Sequence, residues 1–484
     1  MSQNYKAGLE KWIEQEKAAA KLLTLLTNLK YDQSVELVFF RRPILNTSIS
    51  EIIYAHSHAD NSSGRHFSVF DSLELVEALS KLDLAPSRID LGKLLFNYCQ
   101  NKIKFGNANS FLLAEIPDHI GKDKLQLLPK DVVLYGFGRI GRIAARILVQ
   151  TNGNGDQLRL KAIVIRGNSN DELQKRADLL RCDSVHGKFK GTVDVNQELN
   201  QLIINGQIVQ IIYANKPEEI DYTIYGIDNA LLIDNTGVKR DRDGLSKHLQ
   251  ARGISKVLLT APGKGDIPNI VFGVNNKDFV AQQNTECIWS AASCTTNAIC
   301  PVLDVIEQCF GIEGGHIETV HAYTNDQNLL DNYHSKYRRG RSAALNMVIT
   351  ETGADKAVAK VIPALAGKFS GNAVRVPTPD VSLAILNLRL KISISKESIN
   401  DTLKAASLSG KLVEQIEFSS NNELVSTDVV GNPHASVIDG PATIVAKDNK
   451  GVILYVWYDN EYGYTCQVIR LAKELAGVLR LTYY

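Results

Sequence analysis

A short buried-strand pattern, Asp131-Val132-Val133-Leu134-Tyr135, runs straight into Gly136-Phe137-Gly138-Arg139-Ile140-Gly141-Arg142 and then into a helical pattern through about Val149. Strand, G-x-G-x-x-G and helix in that order constrain this chain more than any other feature. They specify a Rossmann-type, doubly wound parallel sheet with a dinucleotide at the carboxyl end of its first strand. Gly136 permits the turn, Gly138 lets a pyrophosphate approach the backbone, and Gly141 lets helix and strand pack closely.

A second strand pattern, Leu160 to Ile165, ends at Arg166-Gly167-Asn168-Ser169. An NAD-specific site places Asp or Glu at such a strand end, on the ribose hydroxyls. A guanidinium there pairs instead with a 2′-phosphate, so Arg166 favours NADP or at least tolerates it beside NAD. Leu202–Ile204 and Ile208–Ile212 flank the turn signal Asn205-Gly206, which predicts an antiparallel hairpin decorating the main sheet. Leu231–Asp234 and Lys256–Thr260 read as buried parallel strands, and the loops after them, Asn235-Thr236-Gly237 and Thr260-Ala261-Pro262, are candidates for the nicotinamide side of the pocket.

Farther on, Cys287-Ile288-Trp289 leads through Ser290-Ala291-Ala292-Ser293 to Cys294, after which Ile299, Val302, Leu303 and Ile306 repeat as one helix face. A cysteine in the first turn of that helix meets free backbone N–H groups and the positive end of the dipole, which favours thiolate over thiol. Ser293, Thr295, Thr296 and Asn297 are polar groups that an apolar core would not gather. Cys294 is therefore the candidate nucleophile, and His321, at the end of the alternating run His316–Tyr323, is the candidate base. Arg375 stands alone among apolar residues and needs a partner, either a carboxylate or a phosphate.

The chain has 484 residues, enough for two or three domains. Its 54 basic and 53 acidic residues give no field to recruit nucleic acid or a membrane surface. Seven cysteines without a CxxC pair argue against a disulfide framework and a structural zinc site; no metal site is expected, and the chain reads as cytoplasmic. Asn46-Thr47-Ser48 and Asn61-Ser62-Ser63 then match the glycosylation pattern by chance.

Residues 1–130 form a mostly helical unit without recognisable chemistry, either a docking arm or a plain structural appendage. Leu9, Ile13, Leu23, Leu26 and Leu29 predict one helix, Leu75, Val76, Leu79 and Leu82 another, while Val35–Phe40 fits strand or helix. His56, His58 and His66 lack partners at metal-ligand spacing and read as surface residues.

From about Asp131 onward the motifs together resemble phosphorylating glyceraldehyde-3-phosphate dehydrogenase, in the long bacterial form with an N-terminal extension. The matching blocks are Gly136–Arg142, Asp183-Ser184-Val185-His186-Gly187, Ser293–Asn297, His321-Ala322-Tyr323-Thr324, Arg375-Val376-Pro377-Thr378-Pro379 and Trp457–Tyr464. The resemblance implies a dinucleotide-binding domain over 131–293, an α+β catalytic domain with a mixed or antiparallel sheet over 294–459, and a final helix, about 460–484, returning to the first domain. It implies oxidation and phosphorylation of glyceraldehyde 3-phosphate to 1,3-bisphosphoglycerate through a thioester on Cys294, with His321 as base. Thr324 and Arg375 would hold the substrate phosphate; Ser293, Thr352, Gly353 and Arg338 would hold inorganic phosphate, with Thr295 beside them. Asn460 would bond the nicotinamide carboxamide, and Arg139 and Ile140 would line the pyrophosphate loop. A cytoplasmic homotetramer is implied, with the loop from Tyr323 to Ala343 between subunits. Departures from the family pattern are Tyr135 and Ala291 where Asn is common, Arg166 where an acid is expected, and Asp380 after Pro379. The alternatives are erythrose 4-phosphate as substrate, or a dinucleotide-binding regulator that has lost turnover.

Overall fold

The computed structural model describes residues 3–59, 65–166, 171–280 and 285–484. The Asn61-Ser62-Ser63 pattern and Gly167-Asn168-Ser169 lie outside them. The chain divides into two compact units, one made of residues 1–129, 152–157 and 477–484, the other of 130–151 and 158–476.

In the first unit, helices surround a small sheet ordered Arg42–Pro43, Val35–Phe39, Ser87–Asp90, Leu481–Tyr483. The Val35–Phe40 ambiguity resolves to strand, because Val35, Val38 and Ile89 are buried within a parallel pair. The Gln3–Asp32 and Val69–Leu79 helices bury Leu26, Leu29, Leu75, Val76 and Leu79 as the spacing predicts, but Leu9 and Ile13 are exposed and Leu23 only half-buried, because the inward face of the first helix begins at Ala18, Ala19 and Leu22. Asp90 is fully buried: its carboxylate caps the Leu91–Phe105 helix through Lys93 N–H and takes the Phe40 and Arg41 N–H groups at 2.8 and 2.9 Å. His56 is not a surface residue; it is buried, with Ile52 O and Ser72 Oγ each 2.7 Å from its ring nitrogens. The last strand corrects the expected ending, since Leu481–Tyr483 lies parallel on Ser87–Ile89 in this unit. Only the Tyr462–Leu475 helix packs in the dinucleotide region, against Arg139–Thr151.

The second unit holds two large sheets. The first is ordered Ile288–Ser290, Ile254–Leu259, Ala230–Asp234, Lys130–Tyr135, Leu158–Ile165, Gln207–Tyr213, Gln201–Ile204, Val193–Asn196. Its first six strands are parallel neighbours, as βαβ crossovers require. The hairpin expected as decoration is part of this sheet: Gln207–Tyr213 pairs parallel with Leu158–Ile165, and its turn uses left-handed Asn205 and Gly206. The second sheet is mixed, with the order Val348–Thr350, Phe369–Val376, Ile312–Ala322, Ser382–Leu390, Gly451–Tyr458, Ser436–Asp439, Ile416–Ser419. Helix Cys294–Phe310 covers it, with Ile299, Val302, Leu303 and Ile306 fully buried in the same core as Leu386, Leu454 and Val456. The reactive end of that helix is thereby fixed to the sheet that carries His321. Among the described residues, no helix is long and apolar enough to cross a membrane.

Candidate active site

Strand Ile288–Ser290 ends in a turn in which Ala292 takes a left-handed φ of 54°, an uncommon conformation for a residue with a Cβ. The turn is clamped: Asn297 Nδ2 donates to Ala291 O and Ser293 O, and Tyr464 OH donates to Ala292 O. Ser293 then caps the helix, its Oγ accepting Thr296 N–H at 3.1 Å, and Cys294 is the first helical residue.

His321 ends the long strand Ile312–Ala322, and parallel register places it opposite Arg375 of Phe369–Val376. Cys294 Sγ and His321 Nε2 are 3.7 Å apart. On the far side of the ring, Nδ1 lies 2.8 Å from Ala322 O and 2.7 Å from Arg375 Nη1, which also donates to Ala322 O at 2.7 Å. Nδ1 thus faces a carbonyl, which only accepts, and a guanidinium, which only donates; Nδ1–H donating to Ala322 O is the tautomer that turns the Nε2 lone pair toward the sulfur, and in it the Arg375 N–H goes to Ala322 O and not to the ring. Burial and then the Arg375 charge push His321 down to about 3, so the imidazole is neutral. Burial also pushes the Cys294 thiol up, against Arg375 and the Thr295 hydroxyl and N–H, which pull it down. Desolvation thus opposes the helix dipole at this sulfur and favours the neutral form of both groups.

The predicted anion ligands divide. Arg375 has no carboxylate at ion-pair distance among the described residues, and its Nε is buried without a hydrogen bond, as suits an incoming phosphate. Thr324 is exposed in the loop beyond Ala322. Gly353 caps helix Ala354–Val361 without a side chain, and Thr352 Oγ1 accepts Ala354 N–H at 3.3 Å. Arg338 is a correction: it points to Ile349 O in solvent, whereas Arg339, fixed by Asp326 and Thr350 Oγ1, is the arginine whose charge reaches His321 and Arg375. The buried Thr295 hydroxyl meets Tyr458 OH at 3.0 Å and also reaches the Cys294 thiol, so it lies beside the reactive sulfur. Tyr458, whose ring meets His321 edge-on at 6.0 Å, was not singled out from sequence, although the Trp457–Tyr464 block contains it.

At the dinucleotide end, a cavity of about 330 Å³ is lined by Tyr135, Gly136, Gly138, Arg166, Arg176 and Thr236, among others. Gly136 has φ +95°, and a Cβ on Gly141 would collide with the Gly136 carbonyl; a Cβ on Gly138 would meet nothing within 4 Å. The open space at Gly138, just before the free N–H groups of Arg139–Thr151, fits a pyrophosphate. The Arg139 guanidinium does not enter the cavity; it bridges Asp183 at 3.1 Å and Glu461 at 2.5 Å, leaving its backbone and that of Ile140 at the loop. Thr260 Oγ1 donates to Asp234 O, and Thr236, not Thr260, lines the cavity. Asn460 Oδ1 accepts Ser382 Oγ–H at 2.7 Å, leaving its amide donors available. Behind it, His186 Nε2 lies 3.3 Å from Glu461 and 3.5 Å from buried Asp380, a cluster invisible to spacing arguments because its members span nearly the whole unit.

Residues 130–242 match the model of the glyceraldehyde 3-phosphate dehydrogenase NAD binding domain, and residues 293–460 match that of its C-terminal domain. Glyceraldehyde-3-phosphate dehydrogenase 2 of Bacillus subtilis is 39% identical over 349 residues, which cover 72% of this chain and 97% of that protein. The chain belongs to the glyceraldehyde-3-phosphate dehydrogenase family. A glyceraldehyde-3-phosphate dehydrogenase-like protein of Pseudomonas aeruginosa is 50% identical over 463 residues, 94% of this chain and 98% of that one, so its match takes in most of the N-terminal unit as well. The chloroplastic glyceraldehyde-3-phosphate dehydrogenase A of Zea mays is 41% identical over 72% of this chain and 82% of its own length. As a member of this family the protein is an oxidoreductase that uses a nicotinamide dinucleotide.

Proposed function

We propose that the protein oxidises and phosphorylates D-glyceraldehyde 3-phosphate to 1,3-bisphosphoglycerate, with Cys294 as nucleophile and His321 as base. The observation that carries this is the sulfur placed 3.7 Å from a neutral imidazole whose opposite nitrogen is held by Ala322 O. The dinucleotide would be held by the Gly136–Gly141 turn and Asn460, and when bound it supplies the hydride acceptor.

The protein's own groups carry the remaining work. Nε2 of His321 takes the thiol proton as Sγ bonds to the aldehyde carbon, and the imidazolium returns that proton to the new alkoxide oxygen, giving a hemithioacetal. When C1 is oxidised, Nε2 accepts the hydroxyl proton, and a thioester remains on Cys294. Arg375 and Thr324 would orient the substrate phosphate. Arg339, Thr352, Gly353 and Ser293 would hold the second phosphate, whose oxygen attacks the thioester carbon and expels the Cys294 sulfur. Two anion sites serve one phosphate that positions and one that reacts.

Reduced-cofactor formation from glyceraldehyde 3-phosphate should require inorganic phosphate for multiple turnovers. A rate indifferent to phosphate, or higher kcat/KM on erythrose 4-phosphate, would replace this reading. Arg166 at the adenosine end of the cavity supports NADP as a cofactor at least as good as NAD. Comparing KM for the two, with Arg166→Asp expected to favour NAD, tests it. A homotetramer is supported by the apolar side chains that the segment after His321 exposes, including Leu329, Leu330, Tyr333 and Leu345.

A further inference from the structure

The dinucleotide cavity has a second guanidinium in its wall. Arg176, on helix Asp171–Arg181, lines it together with Arg166 at the end of Leu158–Ile165. Arg176 Nη2 is paired with Glu172, one turn earlier, at 3.1 Å, but its Nε is buried and donates to nothing. Close by, Tyr213 ends the strand that pairs with Leu158–Ile165, its Cα opposite that of the cavity residue Ile165. The Tyr213 hydroxyl is buried without a hydrogen bond and lies in the field of both Arg176 and Glu172.

The unmatched Arg176 N–H in the cavity wall calls for an acceptor, and the Tyr213 hydroxyl on the neighbouring strand, itself outside that wall, does not supply one. A cavity wall with two guanidinium groups calls for that acceptor to be an anion. The position narrows the choice further, because the end of the second strand after the glycine turn is where the adenosine ribose of a dinucleotide lies. A 2′-phosphomonoester meets all three conditions, whereas the bare ribose hydroxyl of NAD supplies no charge for either arginine.

We propose that Arg176 binds the 2′-phosphate of NADP together with Arg166, and that Glu172 sets the affinity by competing for the same guanidinium. This rests on the NADP reading above. With NAD the Arg176–Glu172 pair stays intact, so binding of NAD is indifferent to both residues. With NADP the guanidinium turns from the carboxylate to the phosphate.

The test is calorimetric titration of the full-length protein with adenosine 2′,5′-bisphosphate and with adenosine 5′-monophosphate, which differ only in the 2′-phosphate. Wild type should bind the bisphosphate at least about 10-fold more tightly. Arg176→Gln should lose about 10-fold or more for the bisphosphate, the range of a charge-assisted hydrogen bond, and nothing for the monophosphate. Arg176→Lys should retain part of the preference, and Glu172→Gln should tighten the bisphosphate alone by several-fold. If Arg176→Gln weakens both ligands equally, or neither, the assignment of Arg176 is overturned while the NADP reading stands. If wild type itself does not prefer the bisphosphate, the NADP reading falls and this assignment with it. An unchanged Tm of the unliganded variant separates a lost contact from a misfolded helix.

Discussion

His321 Nε2 stands 3.7 Å from Cys294 Sγ, and burial favours the neutral form of each. Desolvation and Arg375 hold the imidazole neutral well below its usual range, and burial holds the thiol above its own, so one ionisation governs reactivity near neutral pH. The rate of iodoacetamide labelling at Cys294 should climb steadily from pH 6 to 9, without a plateau below the ordinary thiol value of about 8.5. Cys294→Ala should abolish the labelling, and His321→Asn should slow it by roughly 100-fold, as expected for a lost general base. A plateau already reached at pH 6 would mean a preformed thiolate–imidazolium pair, contrary to the desolvation argument.

Gly138 and Gly141 make different demands although they belong to one motif. Gly141 touches the Gly136 carbonyl, so Gly141→Ala should destabilise the cofactor-free protein by about 1–3 kcal/mol, the usual cost of overpacking. Gly138 faces open space, so Gly138→Ala should leave unliganded stability within about 0.5 kcal/mol while weakening cofactor binding. Thermal unfolding without cofactor and calorimetric titration with it separate the two. Equal losses of stability would show that the space at Gly138 is filled by protein.

These contrasts indicate what the sequence could carry. The glycine turn, the strand before it and the helix after it are contiguous, so their geometry follows from local chemistry. The Cys294 cap is likewise local, set by Ser293 and the apolar face beginning at Ile299. That His321 reaches the sulfur depends on pairing among Ile312–Ala322, Phe369–Val376 and Ser382–Leu390, which spacing cannot specify. The expectation of Arg338 at the phosphate site failed for the same reason: Arg338 and Arg339 point opposite ways from a short turn, and Asp326 with Thr350 decides which turns inward. At Cys294 the helix dipole that favours a thiolate is visible in sequence, whereas the burial that opposes it is not.

The N-terminal unit depends on the far end of the chain. Leu481–Tyr483 is its edge strand on Ser87–Asp90, Arg480 pairs with Glu36 at 3.5 Å, and Gln157 Nε2 donates to Val478 O at 2.7 Å. Deleting residues 477–484 removes all three and uncovers the Ser87–Asp90 edge. Limited proteolysis should then cut within residues 1–129 at protease levels that spare the full-length protein, while residues 158–476 stay resistant. Resistance of the N-terminal unit in the truncated chain would show that its own helices suffice.

Asp380 is the departure from the family pattern with the clearest thermodynamic consequence. It is 3% exposed, among the described residues has only the Val381 N–H and His186 Nε2, 3.5 Å away, facing its carboxylate as donors, and its ionic neighbours are His186, Asp459 and Glu461. Burial, followed by the Asp459 and Glu461 charges, pushes its carboxyl far up, with the Val381 N–H and His186 pulling back only in part. The folded state therefore retains a proton that the unfolded chain releases near pH 4. Stability from this group is fully present below that value and is lost as pH rises through the neutral range, at up to about 1.4 kcal/mol per pH unit. Asp380→Asn keeps the shape and cannot ionise, so its Tm should lie close to wild type at pH 4.5 and exceed it by a margin that widens up to about pH 8 and then levels off. A Tm difference that stays constant across that range would mean Asp380 is ionised in the folded protein and paired with a protonated His186.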